Sequence, residues 1–219
     1  MCYLNLIQIE RKITMSDSIS KFVEKQDVMY QGKLLAMRQG NCLGYFYTQM
    51  PETPFSNFYD IRKGFNLYFT DGKISYKKPK DGVKYKVGNF RSVEQLFAFG
   101  KAMTMHDDKS AKKIYKLRTP SSVKYLRLGR AVKNYDDEKW KKIAATWMLQ
   151  GMLAKFSQDE FCHKCLMATG LMVLMECNPY STYWGAGIGI KQDFKTAPGK
   201  NMQGWLLMQT RSILQKELK

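Results

Sequence analysis

Apolar and polar positions follow two different periods along the chain, and the change of period divides it. From residue 43 to about residue 90 the pattern suits strands. Leu43-Gly-Tyr-Phe-Tyr47 carries strand-forming residues, and Phe65–Thr70 and Lys73–Tyr76 flank Asp71-Gly72. An Asp-Gly pair between strand-like runs predicts a tight hairpin, because glycine takes the positive φ that the turn demands. Val83–Val87 predicts one more strand.

From residue 92 the spacing becomes helical. Ser92 is placed to cap a helix on which Val93, Leu96, Phe97, Gly100 and Met103 share one face. Thr119-Pro120 predicts a cap with proline at the first helical position, and Gly129 closes that helix. Asp136 or Asp137 caps a long helix with Trp140, Ile143, Trp147, Gly151 and Met152 along its inner face. Asp159–Ala168 predicts a further helix, and Leu171–Cys177 a buried strand. Asn201 caps a last helix with Leu206, Leu207, Ile213 and Leu214 inward. The class is α+β, mostly helical, with a small antiparallel sheet.

The chain has 219 residues, enough for one domain plus an extension. Residues 1–42 read as an N-terminal extension and 43–219 as the domain. Within the extension Met15-Ser16-Asp17-Ser18 resembles a second start, with Asp17 or Ser18 capping a short helix. No apolar run approaches the roughly 20 residues that a membrane helix needs. Met1–Ile9 lacks the basic start and the small-residue cleavage site of a signal peptide. The five cysteines lack the spacing of a disulfide framework. A cytoplasmic protein with no membrane partner is expected, in the host cytoplasm if the source is viral.

Charge adds the first functional information. Lys and Arg number 36 against 19 Asp and Glu, a net +17, and residues 54–135 alone carry +13. Phosphate is the natural counter-charge, in a nucleic acid or a phosphorylated ligand. Lys77, Lys78, Lys80 and Lys84 form one dense run, and reversing their charge is expected to weaken nucleic-acid binding.

Three features invite chemistry. Cys162-His163-Lys164-Cys165 offers two of the four ligands that zinc wants, so helix packing is expected, with no metal and no cofactor. Trp184 stands beside Gly185, Gly187 and Gly189. Such glycines allow close approach of a ligand against the indole, or simply a structural turn. Glu94 and Lys101 lie seven apart, two turns along one helix face. At the margin of an apolar stripe both would have shifted pKa values; the plain alternative is a solvated face.

Four stretches together resemble the NADAR, or YbiA-like, N-glycosidases. They are Pro54-Phe-Ser-Asn-Phe-Tyr59; Phe90-Arg-Ser-Val-Glu-Gln-Leu-Phe-Ala-Phe-Gly-Lys101; Leu128-Gly-Arg130 through Trp140 and Ala154-Lys-Phe156 to Thr169-Gly170; and Glu176 through Trp184-Gly-Ala-Gly187 to Gly199-Lys-Asn201, Gly204, Leu207-Met208 and Arg211. The chain departs from the family's pattern at Phe90, usually Trp, at Gln95, usually His, and at Ser181, often Asp.

The resemblance implies a YbiA-like single domain that hydrolyses N-glycosidic bonds. It implies Glu94 as general acid/base and Lys101 as nucleophile. Asn57 and Phe58 would lie near the ligand, Arg130 and Lys155 would bind substrate, and Trp184, Gly185 and Gly187 would form the sugar- or base-facing loop. One family branch removes ADP-ribose from guanine in nucleic acid, reversing DarT-type modification. Another cleaves ribosylated pyrimidine intermediates of riboflavin synthesis. The expected partner is therefore an ADP-ribosylated DNA or RNA base, with an ADP-ribosyltransferase toxin as functional counterpart. A phosphorylated riboside is the alternative, and a non-catalytic ADP-ribose or nucleic-acid binding module is a third reading, favoured by Ser181.

Overall fold

The computed structural model describes residues 27–30 and 33–217. In chain order these form β1 (Asp27–Tyr30), β2 (Lys33–Gln39), β3 (Cys42–Tyr45), β4 (Phe65–Thr70), β5 (Lys73–Ser75) and β6 (Lys86–Phe90). Then come α1 (Val93–Thr104), α2 (Asp108–Lys116), α3 (Ser122–Arg130), α4 (Asp137–Gln158), α5 (Glu160–Ala168), β7 (Val173–Glu176) and α6 (Met202–Glu217). The α+β, mostly helical class is as expected. The short helix expected near Asp17 lies outside the described residues. Among the described residues no helix is long and apolar enough to cross a membrane. The chain divides into two compact units, Asn57–His163 and the flanking segments up to Ser56 and from Lys164.

The central unit holds an antiparallel sheet in the order β5-β4-β6 and the helices α1 to α4. The β4–β5 hairpin turns at Asp71-Gly72, with Gly72 at φ +68°. The last strand lies three residues beyond the expected Val83–Val87. Its pairing follows the residue that can be buried: Phe90 sits opposite Phe65, both buried, whereas Val83 and Val87 are exposed.

Helix α1 starts as expected, with the Ser92 hydroxyl accepting from the Gln95 N–H at 3.1 Å. Helices α2, α3 and α4 all pack on it, so more than one face is covered. Ala98 and Ala102 are buried, together with Glu94 and Gln95, while Met103, expected inward, is exposed. Gln95 is stitched to the backbone: it accepts from the Arg91 N–H and donates to the Ile114 carbonyl, at 2.8 and 3.0 Å.

The apolar pattern does not reveal α2, because only Ala111 and Ile114 are buried on it. Asp107 caps it, accepting from the Ser110 N–H at 3.1 Å. Helix α3 also differs from expectation. Pro120 precedes it, and the Thr119 hydroxyl accepts from the Ser121 N–H in a turn. Gly129 lies inside α3, pressed against Ala98 of α1, and does not terminate it. Asp136 caps α4 through the Lys139 N–H at 2.9 Å, and Trp140, Trp147, Gly151 and Met152 are buried along it.

The other unit is built on a four-stranded sheet, β1-β2-β3-β7. It is mixed: β7 joins parallel to β3, pairing Cys42 with Val173 through Tyr45 with Glu176. Residues 27–30 and 33–39, read from the sequence as part of an extension, supply two of its strands. The β7 strand is shorter than the apolar run suggests, since Leu171 is fully solvent-facing. Helix α6 packs on β7, and Leu206, Leu207 and Leu214 on it are buried, with Ile213 half-buried. Asn201 is spent on the strand: its side chain accepts from the Glu176 N–H at 3.0 Å and donates to the Leu174 carbonyl at 2.8 Å.

Candidate active site

Glu94 occupies the first turn of α1, where its own N–H donates to the Asn57 carbonyl at 3.1 Å. Only 7% of it is exposed. Burial penalises the carboxylate and pushes its pKa up to about 7, against the opposing charges of Lys101 and Arg130. At neutral pH this group is poised to give or take a proton.

Lys101 follows two turns later on the same helix. Its ammonium lies over the Tyr135 ring, 4.5 Å from the centroid, and 5.9 Å from that of Trp140. Desolvation lowers its pKa; Glu94 and Asp137 act to raise it, and Arg130 adds to the lowering. A lowered pKa increases the fraction of nucleophilic amine at neutral pH. Arg130, at the end of α3, is itself exposed, yet its charge acts on both partners.

The segment 57–59 ties these helices together. The buried Asn57 donates through Nδ2 to the Met148 sulfur of α4 at 3.1 Å. The Phe58 carbonyl accepts from the Ser122 hydroxyl of α3 at 2.9 Å. The Tyr59 ring lies 5.2 Å from the ammonium of Lys155, a residue only 1% exposed whose ammonium also sits 5.0 Å from the Phe156 ring. Glu94, Lys101, Asn57, Phe58, Arg130 and Lys155 thus all belong to the central unit, and segment 57–59 connects α1, α3 and α4 around them.

Trp184, Gly185 and Gly187 belong to the other unit. Their loop is pinned by the chain's own backbone. The Lys200, Asn201, Met202 and Gln203 N–H groups donate to the carbonyls of Thr182, Gly185, Tyr183 and Trp184. A Cβ at Gly185 would meet the Ser181 carbonyl oxygen at 2.9 Å, and Gly187 takes φ +71°. Here the close approach that glycine allows is to the protein itself. Trp184 is half-buried, edge-on to Tyr183 at 5.2 Å. Ser181 accepts from the Gly185 N–H at 3.3 Å, so its hydroxyl helps to close this loop.

Sequence reasoning passed over Glu176. It ends β7 nearly buried, hydrogen-bonded to Tyr45 and accepting from Gln203 Nε2 at 3.2 Å. Burial pushes it up to about 8, and pushes the neighbouring Cys177 up to about 12. Its carbonyl accepts from the Ala186 N–H at 2.7 Å, which anchors the glycine loop. A glutamate inside an apolar run was the available signal. Tyr135 had no signal, because it lies in an irregular turn. Cys162 and Cys165 are buried on α5, and no group of three or more His, Cys, Asp or Glu assembles among the described residues.

The comparisons with known proteins bear on this geometry. The NADAR domain model matches residues 45–215. The chain is 30% identical over 142 residues to N-glycosidase R617 of Acanthamoeba polyphaga mimivirus, covering 63% of this chain and 81% of that protein. It is also 30% identical over 154 residues to Protein irg-1 of Caenorhabditis elegans, covering 69% of each. The NMR structure of the E. coli protein YbiA shares the fold, with a TM-score of 0.56 at 24% identity over 84% of this chain and 90% of that one. The family model and the likeness to an N-glycosidase support a general N-glycosidase role. From residue 45 to residue 215, the chain is a member of the NADAR family.

Proposed function

We propose that this protein removes ADP-ribose from guanine in nucleic acid, using Glu94 and Lys101. The observation that carries the reading is the pair itself. A buried carboxyl with a pKa near neutrality shares α1 with a lysine whose ammonium form is disfavoured. The Lys101 amine attacks the anomeric carbon. The bond to the base nitrogen breaks, its electron pair stays on the base, and protonated Glu94 supplies the proton. Ring opening then leaves an imine between Lys101 and the sugar. Water, deprotonated by the Glu94 carboxylate, adds to the imine and expels the amine, releasing ADP-ribose. Neither step needs a second carboxylate, so Ser181 is no obstacle to this route. The net +13 of residues 54–135 exceeds what a small phosphorylated riboside requires and supports the nucleic-acid substrate.

The test offers purified protein a guanine-ADP-ribosylated oligonucleotide and, separately, a phosphorylated pyrimidine riboside. Release of ADP-ribose from the first is expected. Cleavage of the second alone would replace the substrate, and cleavage of neither would leave a binding module.

A further inference from the structure

Between residues 109 and 133 the chain carries nine lysines and arginines and no acidic residue. All nine are exposed. On α2, Lys109, Lys112, Lys113 and Lys116 recur at i, i+3, i+4 and i+7, so they share the outer face opposite the buried Ala111 and Ile114. This stripe is about 10 Å long at the helical rise. Lys124, Arg127 and Arg130 then step along α3 every three residues. Between the helices the Arg118 guanidinium lies 6.0 Å from the centroid of the Tyr115 ring.

We propose that the outer faces of α2 and α3 form the track on which a single-stranded nucleic acid lies, leading to Arg130 beside Glu94 and Lys101. The inference rests on the nucleic-acid reading above and assigns it a surface. A base that is to be cleaved must leave its stack, which makes a single strand the simplest substrate. The end of the track is fixed by Arg130, whose charge acts on both members of the pair. A small phosphorylated riboside would engage that end and leave the other eight cations unused. A membrane surface fits poorly, because none of the exposed large apolar side chains falls within 109–133. The lysine run at 77–86 is of another kind. It is interrupted by Asp81 and sits among exposed Val83, Tyr85 and Val87.

The probe is a short, unmodified, fluorescein-labelled single-stranded oligonucleotide, so binding is read without turnover. Two variants are compared with the native chain, one carrying Lys112→Gln, Lys113→Gln, Lys116→Gln, Lys124→Gln and Arg127→Gln, the other Lys77→Gln, Lys78→Gln, Lys80→Gln and Lys84→Gln. All these positions are exposed, and thermal unfolding checks that both variants fold. The first should bind at least about tenfold more weakly, with a salt slope smaller by about 3 between roughly 50 and 200 mM salt. The second should change by less than about threefold. Equal losses in both variants would overturn the assignment. So would native protein that ignores the oligonucleotide, including one that binds phosphatidylserine vesicles instead. Binding through this face without release of ADP-ribose in the activity test would overturn the proposed reaction and leave the track standing.

Discussion

At the scale of the residue, the proposed reaction rests on two groups, Glu94 and Lys101, whose pKa values are shifted first by burial. Replacing Lys101 by Ala should abolish turnover while the unfolding transition stays cooperative. Glu94→Gln should cost about a hundredfold or more in rate; a loss below about tenfold would remove its acid/base role. Arg130 lowers both pKa values, the carboxyl's and the amine's. Arg130→Gln should therefore move both flanks of the pH–rate profile to higher pH. A profile that keeps its position would show that the guanidinium does not act on the pair.

Glu176 makes a different prediction, about stability. Its folded pKa of about 8 lies above the ordinary 4.5. Between these values the folded state keeps a proton that the unfolded chain has lost, so stability falls as pH rises. Glu94 adds a loss of the same sign, complete near pH 7. Native protein should keep losing stability up to about pH 8. Glu176→Gln should level off near pH 7. Urea unfolding at a series of pH values measures this, and an unchanged slope between pH 7 and 8 would contradict it. The Glu94–Lys101 pair was legible in the sequence because seven residues are two helical turns. Glu176 was passed over, because a carboxylate inside an apolar run is a signal that a periodic pattern does not register.

At the scale of the element, the packing of α1 decides what the helices can do. Gly100 lets the Trp147 indole of α4 lie directly on α1, where a Cβ would collide with the ring. Helix propensity alone would favour Gly100→Ala by about 1 kcal/mol. The buried indole has little room to move, so a net destabilisation of about 1–2 kcal/mol is expected. Urea unfolding reads this, and a stabilised variant would show that the ring yields. Local signals served well where one residue controls one turn, as in the Ser92 cap, the Asp71-Gly72 hairpin and the Asp136 cap. They failed where a distant neighbour decides. Gly129 looks like a helix end but is a contact with Ala98, and Asn201 looks like a cap but clamps β7. The lysine-rich α2 has too few apolar residues to show a period.

At the scale of the whole molecule, the pattern conveyed class and order more readily than topology. The parallel pairing of β7 with β3 joins residues about 130 positions apart, and no local signal announces it. The strands at 27–30 and 33–39 were missed although they pair in sequence order, β1 with β2 and β2 with β3. The charge was legible at once, but its assignment to one surface needed the exposure of α2 and α3. The family match over residues 45–215 spans the candidate pair, the segment 57–59 and the glycine loop.

The central claim is that Lys101 carries the sugar through a covalent imine. The measurement that tests it most directly is borohydride reduction during turnover of a guanine-ADP-ribosylated oligonucleotide, followed by peptide mass analysis. The account predicts a reduced ADP-ribosyl adduct on the peptide containing Lys101, together with an oligonucleotide bearing unmodified guanine. Full release of ADP-ribose with no adduct at Lys101 would contradict it.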